Sequence, residues 1–199
     1  MYSPQQLAAM SAHPDRQRVL LAVLDSHDAL VNPTATSREV MNRVRNGSIE
    51  VLFDDTMAPV GGLTPGENPV ILGGQGVIGN SYALVEVLES LMLSTVHEGV
   101  HHLDVVAGRS LPGAAATVGQ RFFTELHAYS AEYELADANG LAHLLGPEFR
   151  GARTFEDVAI GVLIVESYLV HGLALQPGVE QNVIQRVSAM FPSIPRGMP

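Results

Sequence analysis

One stretch governs how this chain can be built: SYALVEVLESLMLSTVHEGVHHLDVVAG, residues 81–108. Its composition is that of one long helix, with Asn80 or Ser81 as a cap and Gly108 as the residue just past its end. Positions 91, 93, 96, 100 and 103 are all apolar, so the helix is expected to be largely buried, with the other elements arranged around it. Its middle nevertheless carries His97, Glu98, His101 and His102. Burying two histidines and a glutamate side by side is costly unless they pair with one another or serve a function.

The first 45 residues also read as helical. In DRQRVLLAVLDSHDALV, the residues Val19, Leu20, Val23, Leu24 and Leu30 fall along one side with the charges opposite. TSREVMNRVRNG offers Ser37 as a cap and Asn46-Gly47 as a stop. The texture then changes. SIEVLF is a short β-type run closed by Asp54-Asp55, and from Pro59 to Asn80 the chain carries seven glycines and three prolines. Within that stretch NPVIL (Asn68 to Leu72) is the one credible strand, and Pro69 at its start points to a sheet edge.

Beyond the long helix, Pro112-Gly113 breaks the pattern before AATVGQRFFTELHAYSAEYELADANG, a helix stopped by Asn139-Gly140. Thr154 and Asp157 form a capping-box pattern that opens FEDVAIGVLIVESYLVHGLAL. Pro177-Gly178 ends that helix, VEQNVIQRVSAMF supplies another, and PSIPRGMP reads as a loose tail. No repeat and no linker separates two cores. The expectation is a single α+β domain, mainly helical, over residues 1–199. It comprises a helical part at 1–48, a small sheet region at 49–80, and the active-site and C-terminal helices at 81–192.

A length of 199 residues suits one domain with a sizeable core, and an apolar fraction of 46% with 16% charged residues is that of an ordinary soluble protein. The net charge of −10 argues against nucleic acid as a partner, because neutralising phosphates needs clustered Lys and Arg. All 11 basic residues are arginine. Arginine codons of a GC-rich genome account for that; so would work in a compartment where lysine tagging is harmful, such as a eukaryotic host cell. With no cysteine, disulfides and Cys-based zinc sites are excluded. The N-terminus lacks a signal-peptide pattern, and VAIGVLIVESYLVHGLAL, interrupted by Glu166 and His171, reads as a buried helix rather than a membrane span. A soluble chain is expected, cytoplasmic or secreted without a classical signal peptide, with no membrane partner.

The chemistry lies in HEGVHH. Four residues of α-helix advance about 400°, so His97 and His101 lie roughly 40° apart and one turn along the axis. Two imidazoles so placed can point at one ion about 2.0–2.1 Å from each ring nitrogen. Glu98, about 100° round from His97, is offset from both and can hold a metal-bound water without ligating. Zinc lowers the pKa of its water to roughly 7, and a neighbouring carboxylate can take the proton before attack on a carbonyl.

On this motif, and on the order of sheet followed by helix, the chain resembles the zincin superfamily of zinc metallopeptidases. The resemblance implies a zincin-like fold with an edge strand packed by the HExxH helix, and NPVIL sits where that strand would dock an extended protein or peptide substrate. It also implies a zinc cofactor and peptide-bond hydrolysis with Glu98 as general base. A catalytic zinc needs a third protein ligand. The metzincin continuation is absent, since Asp104 and Ala107 hold its later positions. The gluzincin branch takes a glutamate from the following helix, where Glu125, Glu132 and Glu134 are the candidates. Glu125 is favoured: it leaves room for the chain to reverse at GRSLPG, and ELHAY resembles third-ligand helices of small zincins. Glu132 is the reserve, or else a partner for Arg121.

Other residues receive lesser roles. Asp104 could orient an imidazole as an acceptor or cap a solvated helix end. His102 is expected at the surface, and His127 faces away from Glu125. Tyr129 and His171 are candidates for stabilising an oxyanion, with packing roles favoured. The short length, the lack of lysine and the missing signal suggest a bacterial toxin or effector. The alternative is a catalytically silent zincin-like module that binds metal or peptide without cutting.

Overall fold

The computed structural model describes residues 2–59, 61–65, 67–81, 84–109 and 118–165. Three helices come first: α1 (Pro4–Ser11), α2 (Arg16–Asp28) and α3 (Ala35–Arg45). Strands β1 (Val51–Asp54), β2 (Gly62–Leu63) and β3 (Val70–Gly73) follow, then α4 (Val85–Val106), α5 (Val118–Ala138) and α6 (Phe155–Ile164). The class is α+β and mainly helical, as expected. The helix expected at VEQNVIQRVSAMF, the loose tail and His171 lie outside the described residues.

The long helix is the axis of the structure. α4 packs against α2, α3 and α5 and against strands β2 and β3. Leu91, Met92, Leu93, Val96 and Val100 are fully or almost fully buried in one core with Val19 and Val23 of α2, Val40 and Met41 of α3, and Leu126 of α5. Gly99 is where α3 comes closest: a Cβ there would lie 2.3 Å from Val40 Cγ1. The glycine inside HEGVHH thus serves helix packing, since only a residue without a side chain admits so near a neighbour.

The sheet has three strands in the order β1-β3-β2. β3 runs parallel to β1, pairing Val51 with Val70 and Phe53 with Leu72, and antiparallel to β2, pairing Gly62 with Leu72. The strand expected at the edge is therefore the centre. Pro69 lies one position before β3, where its missing N–H takes nothing from the ladder, and Val70 donates its own N–H to the Glu50 carbonyl at 2.8 Å. The edge strand that contacts α4 is β2, inside the glycine-rich stretch where no strand was expected.

Two caps also differ from expectation. Thr34 caps α3 by accepting from the Ser37 N–H at 3.1 Å. Ser37 instead turns its hydroxyl to His27 Nε2, 2.9 Å away in the core. α4 starts at Val85 with Leu84 as its first flanking residue, past Asn80 and Ser81. The stops hold: Gly47 and Gly108 both take the left-handed conformation, with φ 78° and 67°. So does the Thr154–Asp157 capping box at the start of α6. Among the described residues no helix is long and apolar enough to cross a membrane.

Candidate metal centre

His97 and His101 project from adjacent turns of α4, their ring centroids 5.0 Å apart and their planes at 77°. Glu125 reaches them from α5. Its Oε2 lies 3.3 Å from His97 Nε2 and 3.4 Å from His101 Nε2. Among the described residues these three form the group of donors close enough to hold a metal ion together, all within 4.8 Å of one another. The distances themselves are a test. Ligands about 2.0–2.1 Å from a tetrahedral zinc are separated by about 3.3–3.4 Å, which is the spacing of the carboxylate oxygen from both imidazoles. The donor set, two nitrogens and one carboxylate, is also one zinc accepts. The residues fit a metal.

Glu132 stands behind His97. Its Oε2 lies 3.0 Å from His97 Nδ1, and since a carboxylate only accepts, Nδ1 carries the hydrogen and Nε2 is left to face Glu125 and His101. A carboxylate on the outer nitrogen fixes tautomer and ring orientation and raises the basicity of the ligating nitrogen. Glu132 meets His97 on the outer nitrogen and lies outside the group formed by His97, His101 and Glu125. The ring of Tyr129 closes another side of His97, with centroids 4.4 Å apart at 73°, and itself stacks on Phe149.

The electrostatics ask for a cation. Burial pushes the His97 imidazole down, but the Glu125 and Glu132 carboxylates on its two nitrogens outweigh burial and hold it well above the ordinary histidine range. Burial pushes Glu125 up, but the His101 and His97 rings outweigh it and hold the carboxyl far below the usual carboxylate range. Two carboxylates converge here on two imidazoles. Positive charge between them is favoured, whether it arrives as a proton on His97 or as a metal ion.

Glu98, 6% exposed, lies on the neighbouring face of α4. It turns toward the sheet, where Thr64 Oγ1 donates to its Oε2 at 2.7 Å. The offset from the ligand pair matches the expectation from helix geometry. Thr64 and Gly62 carried no motif in the sequence; only the glycine-rich texture marked their neighbourhood.

Two sequence expectations need correction. His102 is not a surface residue: it is 1% exposed, and its Nδ1 donates to the Glu67 carbonyl at 2.6 Å. Asp104 does serve as acceptor for an imidazole, but for His127 and not His97, and it is not at a solvated end. It is buried and accepts from His127 Nδ1 at 3.0 Å and from Arg109 Nε at 2.8 Å. His127 accordingly serves that second cluster. No protein-family model, no curated protein and no solved structure matches the chain.

Proposed function

We propose that the protein is a zinc-dependent peptidase whose metal is held by His97, His101 and Glu125. The observation that carries this reading is the approach of one Glu125 oxygen to both Nε2 atoms at 3.3 and 3.4 Å. A bound zinc ion supplies Lewis acidity, bringing the pKa of a water to roughly 7 and polarising a carbonyl. Glu98 takes the proton of the attacking water on a carboxylate oxygen and hands it to the departing amine. Its offset from His97 and His101 suits that task, because a base that ligated the metal would have no free oxygen for the proton. Glu132 keeps the His97 ring turned inward through Nδ1, and Tyr129 shields the ring's side from solvent.

The test is Glu98→Gln in the zinc-loaded protein, assayed on a pooled library of internally quenched fluorogenic peptides. Zinc stoichiometry should be unchanged and turnover should fall at least about 100-fold, the usual contribution of a general base. Unchanged turnover would refute the mechanism. Action as a toxin or effector inside a host cell remains part of the proposal, motivated by the lysine-free composition. Host cells expressing the wild-type chain should grow more slowly than cells expressing His97→Ala.

A further inference from the structure

HEGVHH contains two pairs of residues spaced by four, and they face different neighbours. His97 and His101 meet Glu125 of α5. Glu98 and His102 meet the segment that runs from β2 towards β3. Thr64 Oγ1 lies 2.7 Å from Glu98 Oε2 and 3.1 Å from the Glu98 carbonyl oxygen. One turn further along α4, the buried His102 donates from Nδ1 to the Glu67 carbonyl at 2.6 Å. Gly62 fills the remaining side: a Cβ on it would stand 2.5 Å from Glu98 Cγ and 2.6 Å from Oε1. The glutamate is thus bounded by a hydroxyl and by a backbone that tolerates no side chain, and the loop carrying both is anchored by the second histidine.

We infer that Thr64 is a positioning residue for Glu98, held in place by the His102–Glu67 tie. This rests on Glu98 being the general base. A free glutamate side chain samples many rotamers, and a base must sit within hydrogen-bond reach of the proton it takes. The threonine hydroxyl has one hydrogen, and the charged carboxylate at the shorter distance is its stronger acceptor. That bond occupies Oε2. Among the described residues no hydrogen bond engages Oε1, so that oxygen keeps its capacity to accept a proton. His102 enters only through the loop: its Nδ1–H is committed to the Glu67 carbonyl, and its Nε2 has no partner among the described residues.

The experiment compares wild type, Thr64→Val and Thr64→Ser with two readouts. The first needs no metal. The infrared carboxylate band of Glu98, assigned by its loss in Glu98→Gln, should shift in Thr64→Val and return in Thr64→Ser. The second is hydrolysis of the same peptide library by zinc-loaded protein. Thr64→Val should lower kcat about 10-fold or more, within the range a general base contributes, while KM and zinc affinity stay within about twofold; Thr64→Ser should recover most of the loss. Should Thr64→Val fold poorly, Gly62→Ala crowds the same carboxylate without touching the hydroxyl and should lower kcat in the same way. An unmoved infrared band, or unchanged kcat in a wild type that cleaves, overturns the positioning role alone. No cleavage by wild type overturns the base role of Glu98, and the inference with it.

Discussion

Two clusters of histidine and carboxylate lie in the interface between α4 and α5, and their carboxylates are paired in different ways. In the first, His97 and His101 share one oxygen of Glu125, and Glu132 backs His97; no arginine takes part among the described side chains. In the second, the buried Asp104 accepts from both Nε and a terminal nitrogen of Arg109 at 2.8 Å, and from His127 at 3.0 Å. A guanidinium carries its charge at every accessible pH. Asp104 is therefore neutralised by a permanent cation and needs nothing further. Among the described side chains, Glu125 and Glu132 are met by imidazoles, whose charge depends on a proton. Among the described side chains, pairing with a fixed cation in one cluster and with imidazoles in the other is what separates the two.

The contrast breaks most sharply under removal of a histidine from each cluster. His101→Ala should weaken zinc binding by more than the 10–100-fold typical of a supporting residue, read by competition with a chromophoric chelator. His127→Ala should leave both affinity and stoichiometry unchanged. If the two variants lose zinc equally, the distinction between the clusters fails. Next in size is Glu132→Gln, which keeps an acceptor on His97 Nδ1 but removes its charge. A loss of about 10–100-fold in zinc affinity is expected, and none would mean that Glu132 has no orienting part.

A third effect is a pair of opposed pH trends. Without metal, the raised His97 pKa contributes stability that is fully present below the unfolded value of 6.5 and is lost as the pH rises through the folded value. The lowered Glu125 pKa contributes stability present above the unfolded value of 4.5 and lost as the pH falls through the folded value. The contribution of this cluster to metal-free stability should thus be greatest between 4.5 and 6.5 and decline above that window in urea melts. Zinc affinity should rise over the same alkaline range, because the metal displaces the His97 proton. His97→Gln should abolish the alkaline decline; if it persists unchanged in that variant, its source lies elsewhere. The smallest effect is on the tie itself. Losing His127 leaves Asp104 still paired to Arg109, so His127→Ala should cost about 0.5–1.5 kcal/mol in the same melts, and a loss of several kcal/mol would show that the second cluster is more than a tie.

The pairing of His97 with His101 is legible in the sequence because helix geometry is rigid: residues four apart share a face wherever the helix lies. Glu125 was legible for a related reason, since a helix returning beside α4 has few glutamates at the right height. What escaped notice lies where the backbone is irregular. β2 is two residues long, Gly62–Leu63, too short for an alternating pattern to show, and glycine-rich composition reads as turn. Its loss displaced the edge onto β3, and with it went any view of Thr64 above Glu98. His102 points away from the ligand face, which reads as surface, whereas a tertiary contact with the Glu67 carbonyl accompanies its burial. Asp104 and Glu132 were each weighed for the other's task. Both lie on interface faces of their helices, and only the offset between α4 and α5 decides which imidazole each meets.

The most direct measurement is an anomalous difference map, collected at the zinc edge, from crystals grown with zinc. A single strong peak about 2.0–2.2 Å from His97 Nε2, His101 Nε2 and a Glu125 oxygen is the expected result. A map with no peak there, and with Glu125 still hydrogen-bonded to both imidazoles, would contradict the metal centre.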